Sequence, residues 1–415
     1  MPALTIDPPV ATPQPKGKGA VPDAVKRAVE AKVYGYFYSF VEMGVVKTFI
    51  DHQIFQALPA DGSDIAIADL AAKTSRFDDA ASVSSDSASA SSESSSASAS
   101  ASASDSNVNL LERFCNYLIA SDVLSQGSAP RRVAHGRTSR FFLDEGVALM
   151  FSHLFENCLL PVAHWPEYFE TNGFAEPRQA NVTPWGLSWG YPDKTNYEVF
   201  AMFPEKALPF NASMKVGVQD MPITGMYDFS WIGEYASASG SSLKDRERTL
   251  LVDVGGGMGQ ALKAILAENQ DIPPWRCALQ DRPETIVEVK KEADPALAQV
   301  QKFGASFHGE EPVKGALVYH IRRVLNDWPD DDVVNIFGQI RAACAPDSRV
   351  LVSEQLVPDS PSLMMGALDI FMMNFGGKRR NERQYGELAE RAGFRLSSVS
   401  RHGSSDSAVI ELVVA

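Results

Sequence analysis

This chain lacks the features that mark secreted, membrane-spanning and nucleic-acid-binding proteins. Its 415 residues include only four cysteines, far apart and without metal-ligand spacing, which predicts buried free thiols in a reducing compartment. No continuous apolar run approaches the roughly 18 residues of a membrane span, and the N-terminus has no signal-peptide core. The formal net charge of -14 leaves no basic stripe for phosphates. We therefore expect a cytoplasmic protein that binds neither membranes nor nucleic acid.

Two segments lack the apolar side chains that a core needs. Residues 1–20 are rich in proline and glycine, and residues 82–106 consist almost entirely of serine and alanine. Neither segment can bury enough surface to offset its chain entropy. Both are predicted to be disordered, the first as a terminus and the second as a loop insertion.

The insertion interrupts a predicted N-terminal domain at residues 21–146. Apolar residues recur at helical spacing on both sides of it, and a β-hairpin begins at Val123. Helices followed by a small hairpin indicate a winged helix. DNA-reading units of this kind carry Lys and Arg on one face, whereas this one has few, so it is predicted to be a dimerisation domain that packs against a second copy.

Residues 147–245 are predicted to be mostly helical and are unusually rich in aromatic side chains. With the methionines beside them, these rings suit the wall of a pocket for a flat or greasy small molecule. The polar candidates in that wall are His153, His164 and Thr224. We therefore expect this region to bind the substrate.

A glycine-rich turn follows the apolar run at residues 249–254, and a helix is predicted after it. The turn carries Asp253, Gly255, Gly257 and Gly259 in the pattern D-x-G-x-G-x-G. Glycines let the backbone approach a ligand closely, and the helix N-terminus offers free N–H groups. A dinucleotide-binding turn would instead be G-x-G-x-x-G. The acidic residue suits a ligand that carries positive charge.

Strands and helices alternate from this turn to the C-terminus. Residues 275–281 form a second predicted strand that ends in Asp281, about twenty residues past the glycines, where an acid can hold ribose hydroxyls. Further strands are predicted at 316–321 and 348–354, with a closing hairpin at the end. Residues 246–415 are therefore predicted to form an α/β domain with a doubly wound, Rossmann-like sheet.

These motifs together resemble the small-molecule O-methyltransferases of the caffeate and flavonoid type, in their fungal secondary-metabolism branch. The resemblance rests on D-V-G-G-G-M-G at 253–259, L-Q-D-R-P at 279–283, P-V-K-G-A at 312–316, I-R-R-V-L-N-D-W-P-D at 321–330 and G-G-K-R-R at 376–380. It implies S-adenosyl-L-methionine (SAM) as cofactor, a class I SAM domain and an intertwined homodimer.

The resemblance also implies cofactor contacts for individual residues. Asp281 would bind the ribose, Phe307 would lie against the adenine and Arg322 near the adenosyl group, and the adjacent Arg282 is also expected to bind the cofactor. Ser306 stands where relatives usually carry an acid, so this position departs from the pattern.

Proton transfer is where the chain departs most from that family. Members carry a histidine immediately before the Asp-Trp pair, which suits removal of a hydroxyl proton, but this chain has Asn326 before Asp327. An amide has no usable basicity at neutral pH. Arg379 occupies a position where relatives commonly carry glutamate, whereas Glu354 retains the other acidic position.

Three interpretations follow from those departures. The protein could methylate a hydroxyl that is already acidic, since alignment alone supplies much acceleration. It could instead keep SAM as a fixed electrostatic element and dehydrate and cyclise a pyridone-type intermediate, as the related SAM-dependent pericyclases do. It could also be a catalytically silent SAM-binding partner of an active homologue. Loss of both members of the proton-transfer pair favours the pericyclase interpretation.

The candidate catalytic residues differ between these interpretations. A pericyclase would use Asn326 and Arg379 to polarise a carbonyl, with His153 and Thr224 as further donors. A methyltransferase could use a different base, for example His153 or His320.

Overall fold

The structure is a computed structural model, and it describes residues 23–74, 96–210, 221–238, 247–403 and 405–415, with the backbone alone at 96–106. The chain divides into two compact units, residues 1–148 and 149–415. The predicted disordered terminus at 1–20 lies outside the described residues. The two regions predicted at 147–245 and 246–415 fall in one unit from residue 149 onward.

The first unit combines helices with a small antiparallel sheet. Its helices are α1 (Asp23–Asp51), α2 (Ile54–Ala57), α3 (Ile67–Thr74) and α4 (Ser96–Ala120). Its strands are β1 (Ile65–Ala66), β2 (Leu124–Gln126) and β3 (Arg132–His135), in the order β1-β3-β2. Phe49, Phe55, Leu70, Cys115 and Leu118 are buried in its core. Helices followed by a hairpin are the arrangement predicted for a winged helix.

Helix α4 begins within the range predicted as a disordered insertion. Residues 96–106 are helical, whereas residues 75–95 lie outside the described residues. The prediction for 82–106 therefore needs correction at its C-terminal end. Alanine has the highest helix propensity, and the amphipathic segment from Leu110 onward anchors a helix that the Ser/Ala run can extend.

The second unit begins with short helices. These are α5 (Glu145–His153, which starts at the unit boundary), a π-helical turn (Leu154–Leu159), α6 (Leu160–Ala163), α7 (Trp165–Asn172), α8 (Pro184–Ser188), α9 (Asn196–Met202) and α10 (Ser230–Ala238). Thr195 caps α9 with a capping box that pairs it with Glu198. This cap stabilises the first turn of α9 and so fixes Tyr197 at its start.

One helical stretch corrects the expectation about membrane spans. Among the described residues, Glu145–Ala163 is long and apolar enough to cross a membrane, judged by length and composition alone. The sequence did not reveal it because His153, Glu156 and Asn157 interrupt the apolar run. Within this stretch His153 and Asn157 are buried in the protein and hydrogen-bonded to each other.

A seven-stranded sheet forms the core of the second unit. Its strands are β4 (Leu251–Val254), β5 (Cys277–Asp281), β6 (Gln301–Gly304), β7 (Val318–Arg322), β8 (Arg349–Gln355), β9 (Phe394–Arg401) and β10 (Ser407–Val414). The order is β6-β5-β4-β7-β8-β10-β9, and β10 alone of these seven strands runs opposite to the others, antiparallel to both β8 and β9. The predicted α/β, Rossmann-like fold is confirmed.

Helices cover both faces of this sheet. They are α11 (Gln260–Glu268), α12 (Pro283–Glu292), α13 (Asp330–Ala343) and, beyond α14 (Leu363–Met372), which packs through Phe371 against the aromatic cluster around Trp185, α15 (Glu382–Arg391). Strands β4, β5 and β7 are almost completely buried, which explains their continuous apolar sequences. In such a sheet, ligands bind beyond the carboxyl ends of the parallel strands.

Candidate functional site

The glycine-rich turn after β4 has the close approaches that its sequence predicts. Gly255, Gly257 and Gly259 all have positive φ, which favours glycine. A Cβ on Gly255 would lie 2.8 Å from a methyl of Val324 and 3.5 Å from the Phe307 ring. The turn therefore contacts the loops that follow β6 and β7, and it can remain so close only with glycine.

Asp281, the predicted ribose ligand, lies beside this turn at the end of β5. Its carboxylate accepts hydrogen bonds from the backbone N–H groups of Gly257 and Arg282, both at 2.8 Å. An ionised carboxylate offers about four lone-pair positions, so two remain for vicinal hydroxyls. The guanidinium of Arg282 forms an ion pair with the Glu284 carboxylate at 3.2 Å. It also lies over the Tyr197 ring, 5.3 Å from the ring centroid. Asp281 thus fits a ribose, and Arg282 supports the strand end.

Aromatic rings line the loop after β6. Phe307 packs against His308 and Trp328, with ring centroids 4.9 and 5.8 Å away. Burial lowers the pKa of His308, so its imidazole stays neutral and packs as an aromatic surface. Ser306 is exposed, and its hydroxyl accepts from the backbone of His308 at 3.3 Å. A flat base fits against Phe307, whereas Ser306 shapes the turn.

Two buried polar atoms near the turn are complementary to the ammonium and carboxylate groups of an amino acid. Asp253 Oδ2 is an acceptor, and Arg322 Nε is a donor, each without a hydrogen-bond partner within the described ranges. Arg322 is otherwise held by Met221, whose carbonyl accepts from Nη2 at 2.6 Å. Orphaned buried polar groups are costly, so a ligand with an ammonium and a carboxylate would satisfy both. The chemistry of Asp253, Asp281, Phe307 and Arg322 therefore fits SAM.

His320 lies behind Asp253 rather than in the cleft. Its Nδ1 is 3.2 Å from Asp253 Oδ1, and both side chains are about 1% exposed. Its place in β7, packed against Phe229, leaves it no access to an acceptor. The prediction of His320 as an alternative base is therefore wrong on accessibility.

Asn326 lies in a short 3₁₀ turn (Leu325–Asp327) after β7, with both ends of its amide engaged. Its Nδ2 donates to Glu354 Oε2 at 2.8 Å, and its Oδ1 accepts from the Tyr385 hydroxyl at 2.9 Å. All three side chains are buried. The second Nδ2 hydrogen is left for other partners. The Asn326 amide is thus held in one orientation and stays neutral, and it cannot act as the base that removes a substrate proton.

Glu354 holds the turn that carries Asn326. One oxygen accepts from the backbone N–H groups of Val324 and Leu325 at 3.0 and 3.1 Å, and the other accepts from Asn326. Burial, with repulsion from Asp327, raises the pKa of Glu354 to about 7. With every oxygen committed inside the protein, Glu354 orients the loop and does not face a substrate.

Asp327 differs from Glu354 in that it keeps accessible surface. Burial raises its pKa to about 6, although Arg323, Arg379 and the Tyr197 phenol all act to lower it. Arg323 has a positive φ of 55°, a strained conformation for a side chain of its size. Two carboxylates and two guanidinium groups thus form a charge-balanced cluster beside Asn326.

Arg379 belongs to that cluster through its side chain. Its guanidinium donates to Gln355 at the end of β8, and its backbone N–H donates to Asp369 at 2.8 Å. Burial lowers its pKa, and Glu354 and Asp369 oppose that effect. The guanidinium therefore lies inward and adds positive charge, but its Nη1 is engaged by Gln355.

Arg380 and Gly377 fix the same loop from the other side. The fully buried Arg380 donates to the carbonyls of Leu325 and Trp328 at 2.8 Å and pairs with Asp330 at 2.7 Å. A Cβ on Gly377 would lie 2.1 Å from the Asn326 carbonyl oxygen. The G-G-K-R-R motif thus serves to brace the loop, a role that the sequence alone did not indicate.

His153 lies among aromatic rings in the wall of the predicted substrate region. Its ring packs between Phe210 and Phe371, at 5.9 and 5.7 Å, and burial lowers its pKa to about 4. Asn157 Nδ2 approaches its Nδ1 at 3.2 Å and can only donate, so the neutral ring carries its proton on Nε2. His153 is therefore a donor at neutral pH and a weak base.

The other two polar candidates lie elsewhere. His164 is half-buried and pairs with Glu167 at 3.2 Å, and no hydrogen bond within the described residues connects it to Asn326 or His153, so its role in the pocket stays a prediction. It stands at the start of α7, where the chain faces solvent. Thr224 is half-buried, and no hydrogen bond within the described part of the chain connects it to Asn326 or His153.

Tyr197 is a site residue that sequence reasoning did not single out. It stacks on Trp328 at 6.3 Å, lies under Arg282, and its phenol is close enough to lower the pKa of Asp327. It thereby joins α9 to both the ribose strand and the Asn326 loop. Among seventeen aromatic residues in one region, no local signal distinguished it.

Comparison with known proteins identifies the family. An O-methyltransferase domain model matches residues 242–395. Methyltransferase fsa4 of Fusarium sp. (strain FN080326) is 47% identical over 384 residues, covering 92% of this chain and 96% of that protein. Methyltransferase eqxD of Fusarium heterosporum is 46% identical with the same coverage. The chain is a member of the O-methyltransferase family.

Solved structures share the fold of this O-methyltransferase. OxaC superimposes with a TM-score of 0.72 at 21% identity, covering 92% of this chain and 87% of that one. LepI in complex with SAM gives a TM-score of 0.64 at 19% identity, covering 95% and 92%. OxaC has also been solved with S-adenosylhomocysteine (SAH) and oxaline. Together with the family and the fitting residues, these findings identify SAM as the cofactor.

Proposed function

We propose that this protein transfers a methyl group from SAM to an acidic heteroatom of a small molecule of secondary metabolism. The observation that carries the proposal is the position of Asn326, which is held between Glu354 and Tyr385 beside an intact cofactor site. A site without the family's histidine suits an acceptor that ionises readily, such as an acidic phenol or enol, because less help is then needed to remove its proton.

In this proposal, Asp253 and Arg322 hold the amino-acid end of the cofactor, Asp281 its ribose and Phe307 its adenine. When bound, SAM supplies an electrophilic methyl group. The protein's part is to orient the acceptor and to exclude water around it. The rings around His153 form the apolar wall, and its Nε2 hydrogen orients an acceptor carbonyl.

A pericyclase function is the second candidate. Asn326 keeps one free amide hydrogen, and Arg323 and Arg379 provide fixed cations beside it, which is the equipment for polarising a carbonyl without consuming SAM. Two observations favour methyl transfer over this alternative. The Asn326 amide and Nη1 of Arg379 are engaged by protein groups, which leaves Nε of Arg379 as the donor without a partner within the described residues, and relatives above 40% identity over most of the chain are named methyltransferases.

One assay separates the candidates. The protein is incubated with SAM and a panel of phenols, cyclic enols and pyridone alcohols, and SAH is measured alongside product mass. Methyl transfer predicts one methylene of added mass and equimolar SAH. Dehydrated or isomerised product with SAM unconsumed would establish the pericyclase instead. SAH binding by calorimetry without any product would indicate a silent SAM-binding partner.

We also propose that the protein is a homodimer in the cytoplasm. Helix α1 exposes a row of apolar side chains, among them Val29, Val33, Phe37 and Phe40, each between 57% and 59% exposed. Exposed apolar rows of this size are unusual in monomers. Sedimentation equilibrium should give twice the chain mass, and Phe37→Glu with Val33→Glu should give the monomer. A wild-type monomer at micromolar concentration would contradict the proposal.

A further inference from the structure

The cluster beside Asn326 contains two carboxylates, and one of them, Asp327, does not hold the backbone of the loop. Glu354 accepts three hydrogen bonds, whereas no main-chain or amide donor reaches the Asp327 carboxylate within the described residues. Asp327 also keeps accessible surface, in contrast to Glu354 and Asn326. Of the two acids, Asp327 is the one that keeps both accessible surface and free acceptor positions.

The contacts of its neighbours place Asp327 beside the cofactor cleft. The next residue, Trp328, packs on Phe307 at 5.8 Å, and Phe307 lies against the glycine turn. Tyr197 stacks on Trp328 and lies under Arg282, next to the ribose acid. Asp327 therefore stands between the adenine side and the ribose side of the site.

We propose that Asp327 is the proton acceptor of the methyl-transfer reaction and that Tyr197 positions its carboxylate. This inference rests on the proposed function. The acceptor loses its proton to a carboxylate oxygen of Asp327 as its heteroatom gains the methyl carbon. The bond that breaks is methyl–sulfur, whose electron pair stays on sulfur, and the carboxylic acid then releases its proton to water.

The surroundings of Asp327 suit that role. The groups that face it are Tyr197 from α9, Arg323 from its own loop, Arg379 after α14 and Glu354 from β8. Burial and Glu354 oppose its ionisation, while the two guanidinium groups and the phenol favour it. The balance leaves a carboxylate that is ionised at neutral pH and more basic than an exposed aspartate, as a general base requires.

A direct titration tests the inference without any acceptor substrate. The protein is labelled at aspartate Cγ with ¹³C, saturated with SAH, and followed by NMR from pH 4 to 9. One carboxyl should titrate near pH 6; it should be missing in Asp327→Asn, unchanged in the control Asp331→Asn, and shifted to higher pH in Tyr197→Phe. Asp331 is exposed in the first turn of α13 and pairs with Arg391. Titration of Asp327 in the ordinary acid range would overturn the inference.

Kinetics supply the second test, with an acceptor found in the panel described above. In the wild type, kcat/KM should rise through pH 6 and then level off. Asp327→Asn should lower it by about 10²–10⁴-fold and remove that rise, with Asp327→Glu restoring part of the rate. Binding of SAH should be unchanged in the variant.

The outcomes separate a failure of the role proposed for Asp327 from a failure of the proposed methyltransferase function. If the wild type forms no SAH with any acceptor, the proposed function fails while the titration can still succeed. If the wild type methylates and Asp327→Asn retains its rate and pH profile, the base is elsewhere. If Asp327→Asn loses SAH binding to the same extent as activity, Asp327 only anchors α9 through Tyr197, and the inference is wrong.

Discussion

Replacement of Glu354 by glutamine should change how the stability of this enzyme depends on pH. In the folded protein the pKa of Glu354 is raised from an ordinary value near 4.5 to about 7, because the carboxylate is buried and close to Asp327. An acid whose pKa is higher in the folded than in the unfolded state contributes stability that is fully present below the unfolded-state pKa. That contribution is lost as the pH rises through the folded-state pKa. The loss therefore falls between about pH 4.5 and pH 7.

The magnitude follows from that difference. One pKa unit corresponds to about 1.4 kcal/mol, so ionisation of Glu354 costs the folded state about 3 kcal/mol by pH 8. Glutamine cannot ionise. Its carbonyl can still accept from Val324 and Leu325, and the amide of Asn326 can turn so that its oxygen accepts from glutamine and its nitrogen donates to Tyr385. The polar network survives the substitution.

Calorimetric unfolding at pH 5 and pH 8 measures the effect. Relative to wild type, the free energy of unfolding of Glu354→Gln should rise by about 2–3 kcal/mol between pH 5 and pH 8, and the Tm difference between the two proteins should grow by a few degrees. The control Glu387→Gln removes an exposed acid, paired only with Arg383 on the surface, and should show no such gain. A Tm difference that stays constant from pH 5 to pH 8 would refute the argument.

Three further substitutions test the geometry of the site. Gly377→Ala should displace the Asn326 loop and abolish turnover, because its Cβ would meet a backbone oxygen at 2.1 Å; Gly366→Ala, in open space on a helix, should leave Tm equal or higher. Asp281→Asn should weaken SAH binding by about 10–100-fold in calorimetry, as expected for a lost charge-assisted bond, and unchanged affinity would refute its assignment to the ribose. Tyr385→Phe should lower stability by about 1–3 kcal/mol through the unpaired amide oxygen of Asn326, measured by urea unfolding, and a neutral result would mean that this oxygen finds another donor.

The cofactor site could be predicted from sequence because its determinants are local. The glycines, Asp253 and Asp281 each follow a buried strand directly, and parallel strands bring their carboxyl ends to one edge of the sheet. Strand β6 escaped prediction because its residues are exposed or only partly buried and show no apolar run. Periodicity predicts elements that bury one face and fails where an edge strand is polar.

The catalytic neighbourhood depends on contacts that no local pattern contains. Tyr385 is 59 residues from the Asn326 that it binds, and Tyr197 is more than 100 residues from Asp327. The sequence correctly marked Asn326 as unable to act as a base, but it left open whether the amide was free to donate. Only the partners of that amide, Glu354 and Tyr385, decide the question.

The two departures from the family pattern compensate each other electrostatically. A histidine at position 326 must carry a positive charge once it accepts a proton, and a glutamate at position 379, as the resemblance to caffeate-type O-methyltransferases implies for that family, would stabilise that charge. Here Asn326 cannot become cationic, and Arg379 supplies a permanent cation that balances Glu354 and Asp327 together with Arg323.

Restoring the histidine alone should therefore achieve little. In Asn326→His, the guanidinium groups of Arg323 and Arg379 would lower the pKa of the new imidazole and weaken it as a base. We expect kcat/KM for a weakly acidic phenol to stay within a few-fold of wild type, whereas Asn326→His with Arg379→Glu should exceed the single variant. NMR titration of the imidazole should show a higher pKa in the double variant. A large gain from Asn326→His alone would mean that the charge of Arg379 does not reach position 326.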